Sequence, residues 1–463
     1  MDLPRRLRTK QRPSGHQLVP QLERVRHAEE ETEEGGITQI VSDGDVVLEF
    51  EHERSTTMKT TNRGQVTLMA SFRVHCATLR SASPYFHRLL DPDGFQEGVR
   101  VAEIHKKLLA SHASIGDVDV SSLPKVKIKN VGSIGSVKSI QMLMADFLSI
   151  LHDRDISNPA PPLANIANIS IVADRFDALP IVSRYLKSRK LMRLLDGKTP
   201  DRSNKSMPEE KARQRLLVGL LLDNPAWVGH SSIRLIQRGW LGHEESDGDS
   251  ALWWNLPAGI EEELLFRRDC ILETIQSIQA HFLAQYTTRE RQCRLGYDSS
   301  AECDIYQLGQ MIRFFKKIGT LDLAGTIIPS PSDDDNATIA EPYSGDLIDL
   351  IDSLRQCPEY QINEYHKHCG LRTRLMPLLD MLEFSLTEVG ICMPCWTECR
   401  HEYAWTRVKR PLVWKKDSAG AGMVEAYRNR QAQRHLVKHL DTRDMFMARE
   451  RIWSNRLETA RTC

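Results

Sequence analysis

Apolar residues change their spacing along this chain, and the changes mark its parts. Residues 1–36 are polar and charged with no apolar period, the pattern of a segment that builds no core, and they are expected to be disordered. DVVLEF (45–50) is a run of β-branched and apolar residues that predicts a strand. A polar connector, 51–64, separates it from a second strand at 65–74, with a turn or bulge expected near Ala70 and Ser71. Residues 76–90 have helical spacing at Leu79, Ala82, Phe86 and Leu89–Leu90, and Pro84 predicts two short helices in place of one. The stretch 91–124 shows no clear period. In PKVKIKNV (124–131), Val126 and Ile128 alternate with lysines, as in a half-buried strand.

A helix is predicted over 133–153, with Val137, Ile140, Met144, Phe147, Leu148 and Leu151 on one face, and a pair of helices over 163–186. Beyond Pro208 the spacing is helical almost throughout, over 260–286, 305–319, 345–356, 371–386, 396–409 and about 425–457. The fold class is therefore read as α+β: an N-terminal mixed domain over 37–190, a linker over 191–207, a mainly α-helical domain over 208–410 and a helical tail over 411–463.

Composition adds bounds. The chain has 463 residues, 41% of them hydrophobic, enough for substantial cores. Lys and Arg number 62, as do Asp and Glu, which argues against a bulk polyanion binder. The balance is uneven, since residues 400–463 hold fifteen Lys and Arg against seven Asp and Glu. The longest tight apolar run, Leu216–Leu222, is far short of the ~20 residues that cross a bilayer. The first residues lack the apolar stretch of a secretory signal. An intracellular protein, in nucleus or cytoplasm, is expected, with its ten cysteines reduced.

Five of those cysteines fall between Cys357 and Cys399. GICMPCW supplies a C-x-x-C pair, Cys392 and Cys395, whose tight turn lets two thiolates face one metal. Cys357 and Cys369 complete a candidate tetrahedral zinc set, with His366 or His368 able to replace one of them. The competing reading is a group of buried free thiols, and Cys293 and Cys303 are taken as core. Cys369 precedes the helix at 371–386 and Cys395 follows it, so a four-cysteine site needs a bend at Pro377.

Motifs of catalysis fail. DGKT (196–199) lacks the first glycine of a phosphate loop, no second histidine follows any His-Glu pair at the spacing of a zinc protease, and no G-x-S-x-G occurs. No enzymatic activity is expected.

DGDVVLEF, then SFRVHCATLRSASPYFHRLL with its F-x-x-H strand end and L-x-x-x-S-x-Y-F helix, then KVKIKNV, SVKSIQMLMADFLSIL and ANIANISIVADRFDALPIVSRYL follow one another in an order that resembles the BTB/POZ domain. Cys76 stands where that family often has a basic residue, and 91–124 is longer than usual. LWWNLPAGIEEELLFRRD, RERQCRLGYDSS, CDIYQLGQMIRFFKKIG and HCGLRTRLMPLLD are similar to blocks of the helical region that follows BTB domains in a group from filamentous fungi. The resemblance implies a non-enzymatic protein–protein interaction module that self-associates, with Leu79, Ser83, Tyr85 and Phe86 as candidate interface residues. It also admits adaptor work for a cullin-type ubiquitin ligase. The basic tail suggests a different role, a nuclear regulator that touches nucleic acid, and is expected to be an arm whose removal leaves the rest folded.

Overall fold

Two strands of alternating pattern start the folded chain. Strand β2 (Val46–Thr56) and strand β3 (Gly64–Val74) pair antiparallel in unbroken register, from Val46 opposite Val74 to Thr56 opposite Gly64. Strand β2 therefore runs well into the expected polar connector, while β3 keeps close to its expected bounds. No bulge interrupts Ala70 and Ser71, which sit opposite Phe50 and Glu49. Strand β4 (Lys125–Lys129) lies parallel to β2, and the two-residue β1 (Thr38–Gln39) lies parallel to β3, giving the order β1-β3-β2-β4. The structure, a computed structural model, describes residues 36–56, 64–135, 139–197, 207–238, 251–293, 299–321, 343–367, 369–414, 431–451 and 453. The disorder expected over 1–36 and most of the linker at 191–207 fall outside them.

Period two decides the faces of the sheet. Val46, Leu48, Phe50, Phe72, Val74, Val126 and Ile128 point into the main core, while Val47 joins Val118 and Leu123 on the opposite side. The lysines of β4 face away from the main core, where Lys125 pairs with Glu49 and Lys127 and Lys129 with Glu51. Pro84 separates helix α1 (Cys76–Ala82) from helix α2 (Pro84–Leu89), and the Ser83 side chain caps the second. The stretch without a clear period contains a 16-residue helix, α3 (Gln96–Ser111), of which only Gly98 and Val101 are buried. Helix α4 (Ile140–Leu151) packs on β3, and α5 (Leu163–Arg175) and α6 (Leu179–Ser188) pack on α4 and on each other. Phe176 is the centre of this packing, with rings of Phe50, Tyr85, Phe86 and Phe147 within 6.0 Å of it.

After α7 (Leu191–Gly197), the helices α8 (Glu209–Leu221) and α9 (Pro225–Arg238) join the mixed layer to the helical body, α8 packing on α5. The 28-residue α10 (Ile260–Thr287) is the axis of that body. Its acidic first turn does more than suit the helix dipole. Arg213 of α8 is held by Glu261 and Glu209 at 2.8 Å. Glu263, fully buried, takes hydrogen bonds from Arg267 and from the backbone of Trp405 and Thr406. Burial opposes the Glu263 charge, but Arg267 and these donors outweigh it and hold its carboxyl below the usual range. Then come α11 (Ser300–Lys317), α12 (Leu347–Arg355), α13 (Leu371–Leu386), α14 (Met393–Glu398), α15 (Arg400–Tyr403) and α16 (Gln431–Met447). The helix expected over 396–409 is thus broken into short pieces. Residues 37–463 make one compact unit with a continuous core.

Two expectations are corrected here. The tail is not a free arm. Trp414, Met445, Phe446, Met447 and Trp453 belong to the main core, and Phe446 stacks on Trp405 at 5.9 Å. Arg451, itself buried, donates to Met445 O, Phe446 O and Thr274 Oγ1, so part of the basic surplus serves the interior. The candidate interface is likewise internal. Leu79, Ser83 and Phe86 are buried, the Ser83 hydroxyl donates to Phe176 O at 2.6 Å, and half-buried Tyr85 packs edge-on against Phe86 and Phe176. The α5–α6 corner covers these side chains, so the signature helices feed their own core. No helix among the described residues is long and apolar enough to cross a membrane.

Candidate metal centres

The four cysteines proposed as one site do not meet. Helix α13 is continuous through Pro377, and its 16 residues span about 24 Å. Cys369 lies just before its first residue, while Cys392 and Cys395 lie beyond its last. Cys357 lies near the first turn of α13, where Arg372 donates to its carbonyl at 2.7 Å, but it joins neither group of candidate ligands. It is fully buried after α12, its thiol against Pro358 O at 3.7 Å, and burial pushes that thiol up to about 11. His368 lies outside the described residues. Two separate groups form in place of the single one, and each can hold a metal ion.

The first group is Cys293, Cys303, His366 and Cys369, with three of the four side chains buried. Cys293 follows α10 in a loop whose backbone N–H groups at Gln292 and Cys293 donate to the Asp304 carboxylate. Cys303 sits in the first turn of α11, one residue before that carboxylate. His366 and Cys369 come from the short turn ahead of α13, which closes by a Cys369 N–H bond to His366 O. The Tyr286 hydroxyl fixes it further by donating to Cys369 O at 3.0 Å. Cys293 Sγ is 3.3 Å from His366 Nδ1 and 3.7 Å from Cys369 Sγ, and Cys369 Sγ is 3.9 Å from His366 Nδ1. The other ring nitrogen, His366 Nε2, lies 2.9 Å from Ser299 Oγ. Such an outer partner orients an imidazole toward a cation.

The second group is Cys392, Cys395, His435 and His439. Cys392 caps the start of α14, and Cys395 lies inside that helix. The turn before them is held on every side. Arg267 donates to Val389 O and Gly390 O, Ile391 N–H to Ser232 Oγ, and Cys392 N–H to the Tyr403 hydroxyl, which itself donates to Gly390 O. Gly390 is required by space, since a Cβ there would stand 2.6 Å from Ile233 Cγ1 and 2.8 Å from Gly229 O. The two histidines are four residues apart on α16, so they share a face. Their Nε2 atoms are 3.3 Å apart, and Cys392 Sγ is 3.0 Å from His435 Nε2.

These separations suit a tetrahedral cation. Bonds of about 2.05 Å to nitrogen and about 2.3 Å to sulfur place the ligand atoms about 3.3 Å (N–N), about 3.6 Å (S–N) and about 3.8 Å (S–S) apart. In both groups the ligand atoms all lie within 4.8 Å of one another. Burial raises the pKa of Cys303, Cys369 and Cys395; neighbouring thiols add to the shift at Cys303 and Cys395, and at Cys369 the Cys293 thiol adds to it while the Cys303 hydrogen bond opposes it. A cation bound there must displace thiol protons, so its affinity falls in acid.

Spacing carried a signal for both groups that the composition of 357–401 obscured. C-x-x-C with H-x-x-x-H is a zinc-ligand pattern even with the halves far apart, and H-x-x-C at 366–369 pairs with cysteines taken as core. No protein-family model matches the chain, and no curated protein or solved structure matches it either.

Proposed function

We propose that this chain is a non-enzymatic interaction protein of BTB/POZ type. It self-associates through its sheet, and a structural zinc holds its helical body at Cys293, Cys303, His366 and Cys369. The observation that carries self-association is the outer edge of β3. Strand β1 pairs only with Phe72 and Arg73, so from Gly64 to Ser71 that edge has no strand partner among the described residues. Edges left open template further pairing, and proteins guard them with charge. The β4 edge is guarded by three lysines, whereas no charged residue occurs from Gly64 to Phe72. Beyond Glu51, β2 and β3 form a two-stranded ribbon, which is marginal in water without a third strand. A second copy docked about a two-fold axis sets β3 antiparallel to β3 and supplies one.

The order of hairpin, paired short helices, parallel fourth strand and three further helices supports the BTB/POZ reading. The zinc reading rests on the ligand chemistry, three thiols and an imidazole with no position left for water, which is that of a closed structural site.

Light scattering of the full chain at micromolar concentration tests the first part. A dimer is expected, with Met69→Lys, an exposed position on the β3 edge (51%), shifting it to monomer. A monomeric wild type, or a variant that dimerises as well as wild type, overturns the reading. Elemental analysis tests the second, since Cys369→Ser should cost one equivalent of zinc.

A further inference from the structure

We infer that Cys392, Cys395, His435 and His439 form an exchangeable zinc clasp that fastens the first half of α16 to the helical body. Tetrahedral sets of two sulfurs and two nitrogens select zinc among common divalent ions. Two thiolates and two neutral imidazoles also cancel its charge, which suits a partly buried position.

The ligands come from segments far apart in sequence, so the ion is a cross-link and not a local turn. What it links is uneven. The second half of α16 is anchored by burial, with Thr442, Arg443, Met445, Phe446 and Met447 all enclosed. From His435 to Asp441 no residue is fully buried, and His435 and Lys438 are exposed. Besides the His435 contact to Cys392, this half is tied to the body by half-buried Leu436, by an edge-on contact of the His439 ring with Tyr403 at 5.6 Å, by the Lys438–Glu388 ion pair at 2.6 Å and by Asp441, which accepts from Trp414 Nε1. The exposed ion pair adds little on its own.

Exchange follows from access. The site opens on a cavity of about 230 Å³ lined by Pro225, His230, Glu388 and Pro394 as well as the ligands Cys392, His435 and His439. His439 Nδ1 is buried with no hydrogen-bond partner among the described residues, so this ring lacks the outer support that Ser299 gives His366. Outer partners of this kind raise metal affinity 10- to 100-fold on the order of magnitude. The clasp is therefore the weaker and more accessible of the two centres, and it loses its ion first.

The full chain tests this without reference to dimerisation, and the second-centre variants separate it from the first centre. Two zinc equivalents are expected, one of them removed quickly by a chelator. Its loss should speed tryptic cleavage after Arg434 and Lys438, both within the clasped half of α16, several-fold while the thermal melt of the body persists. His435→Asn, at the exposed ligand, should lose the same equivalent and show the same cleavage without chelator; Cys392→Ser repeats the test from the other segment. Variants that keep wild-type zinc content overturn the site. Zinc loss that leaves cleavage at Arg434 and Lys438 unchanged overturns the clasp. Failure of Cys369→Ser to lose zinc bears on the first centre alone.

Discussion

Replacing Phe446 by Ala separates a packed tail from an interaction arm. Phe446 is fully buried at the end of α16, its ring lies over Trp405, and its carbonyl accepts from Arg451 and Thr274. The backbone bonds survive the substitution, so the loss is side-chain packing alone. A buried Phe→Ala change costs about 3–5 kcal/mol through lost transfer energy and the cavity left behind. Whole-protein stabilities are about 5–15 kcal/mol, so the variant should unfold at clearly lower urea. Trp405, beside the cavity, offers a fluorescence readout. Leu412→Ala is the control, because that side chain is 69% exposed and its loss should stay within about 0.5 kcal/mol. If Phe446→Ala unfolds at the same midpoint as Leu412→Ala, residues 431–453 do not belong to the core and the arm reading returns.

Two further outcomes follow from buried charge. Arg267→Met strands the Glu263 carboxylate in the interior and should cost about 3–5 kcal/mol, whereas adding Glu263→Gln should recover part of that loss; equal losses in single and double variants refute the pairing. His281 is kept neutral in the fold, its pKa lowered by burial and then by Arg374 to about 4. The unfolded chain takes up that proton first, near the ordinary histidine value of about 6.5, so stability is full above that pH and declines as pH falls toward about 4. Urea midpoints at pH 7 and pH 5 should therefore differ less in His281→Gln than in wild type, and an unchanged difference removes His281 as a cause.

The mixed layer was legible because its signals are local. Alternation at Val126 and Ile128, the Pro84 break and the spacing of Phe147 and Leu151 each placed an element where the structure has it. The errors have physical causes. Helix α3 does carry a helical spacing, at Val101, Ile104 and Leu108, but it is short of large apolar side chains and mostly exposed, with only Gly98 and Val101 buried. The first strand is longer than its apolar run predicts, because backbone pairing with β3 carries β2 on to Thr56. Leu79 and Phe86 stood as interface candidates only through the resemblance, whereas their helical spacing by itself favours the ordinary core face they form. The tail's net charge suggested a solvated arm, but net charge does not count the few large apolar side chains, Trp414, Phe446 and Trp453, that decide its burial.

The candidate metal ligands show where sequence reading stops. Proximity in sequence made Cys357, Cys369, Cys392 and Cys395 look like one set. Helix α13 is a rigid spacer between the second and third of them, and one intact helix defeats any ion that must bridge its two ends. Each half-set then has to find partners on whatever element packs beside that end. Near the start of α13, those are the loop after α10 and the first turn of α11, fixed together by Asp304. Beyond its end, the partner is α16, which reaches the C-x-x-C turn because Phe446 and Arg451 anchor its far half in the core. Packing of the tail is thus a precondition of the second centre. Phe446→Ala should weaken zinc retention at His435 and His439, whereas loss of the ion there should leave the Phe446 contact in place.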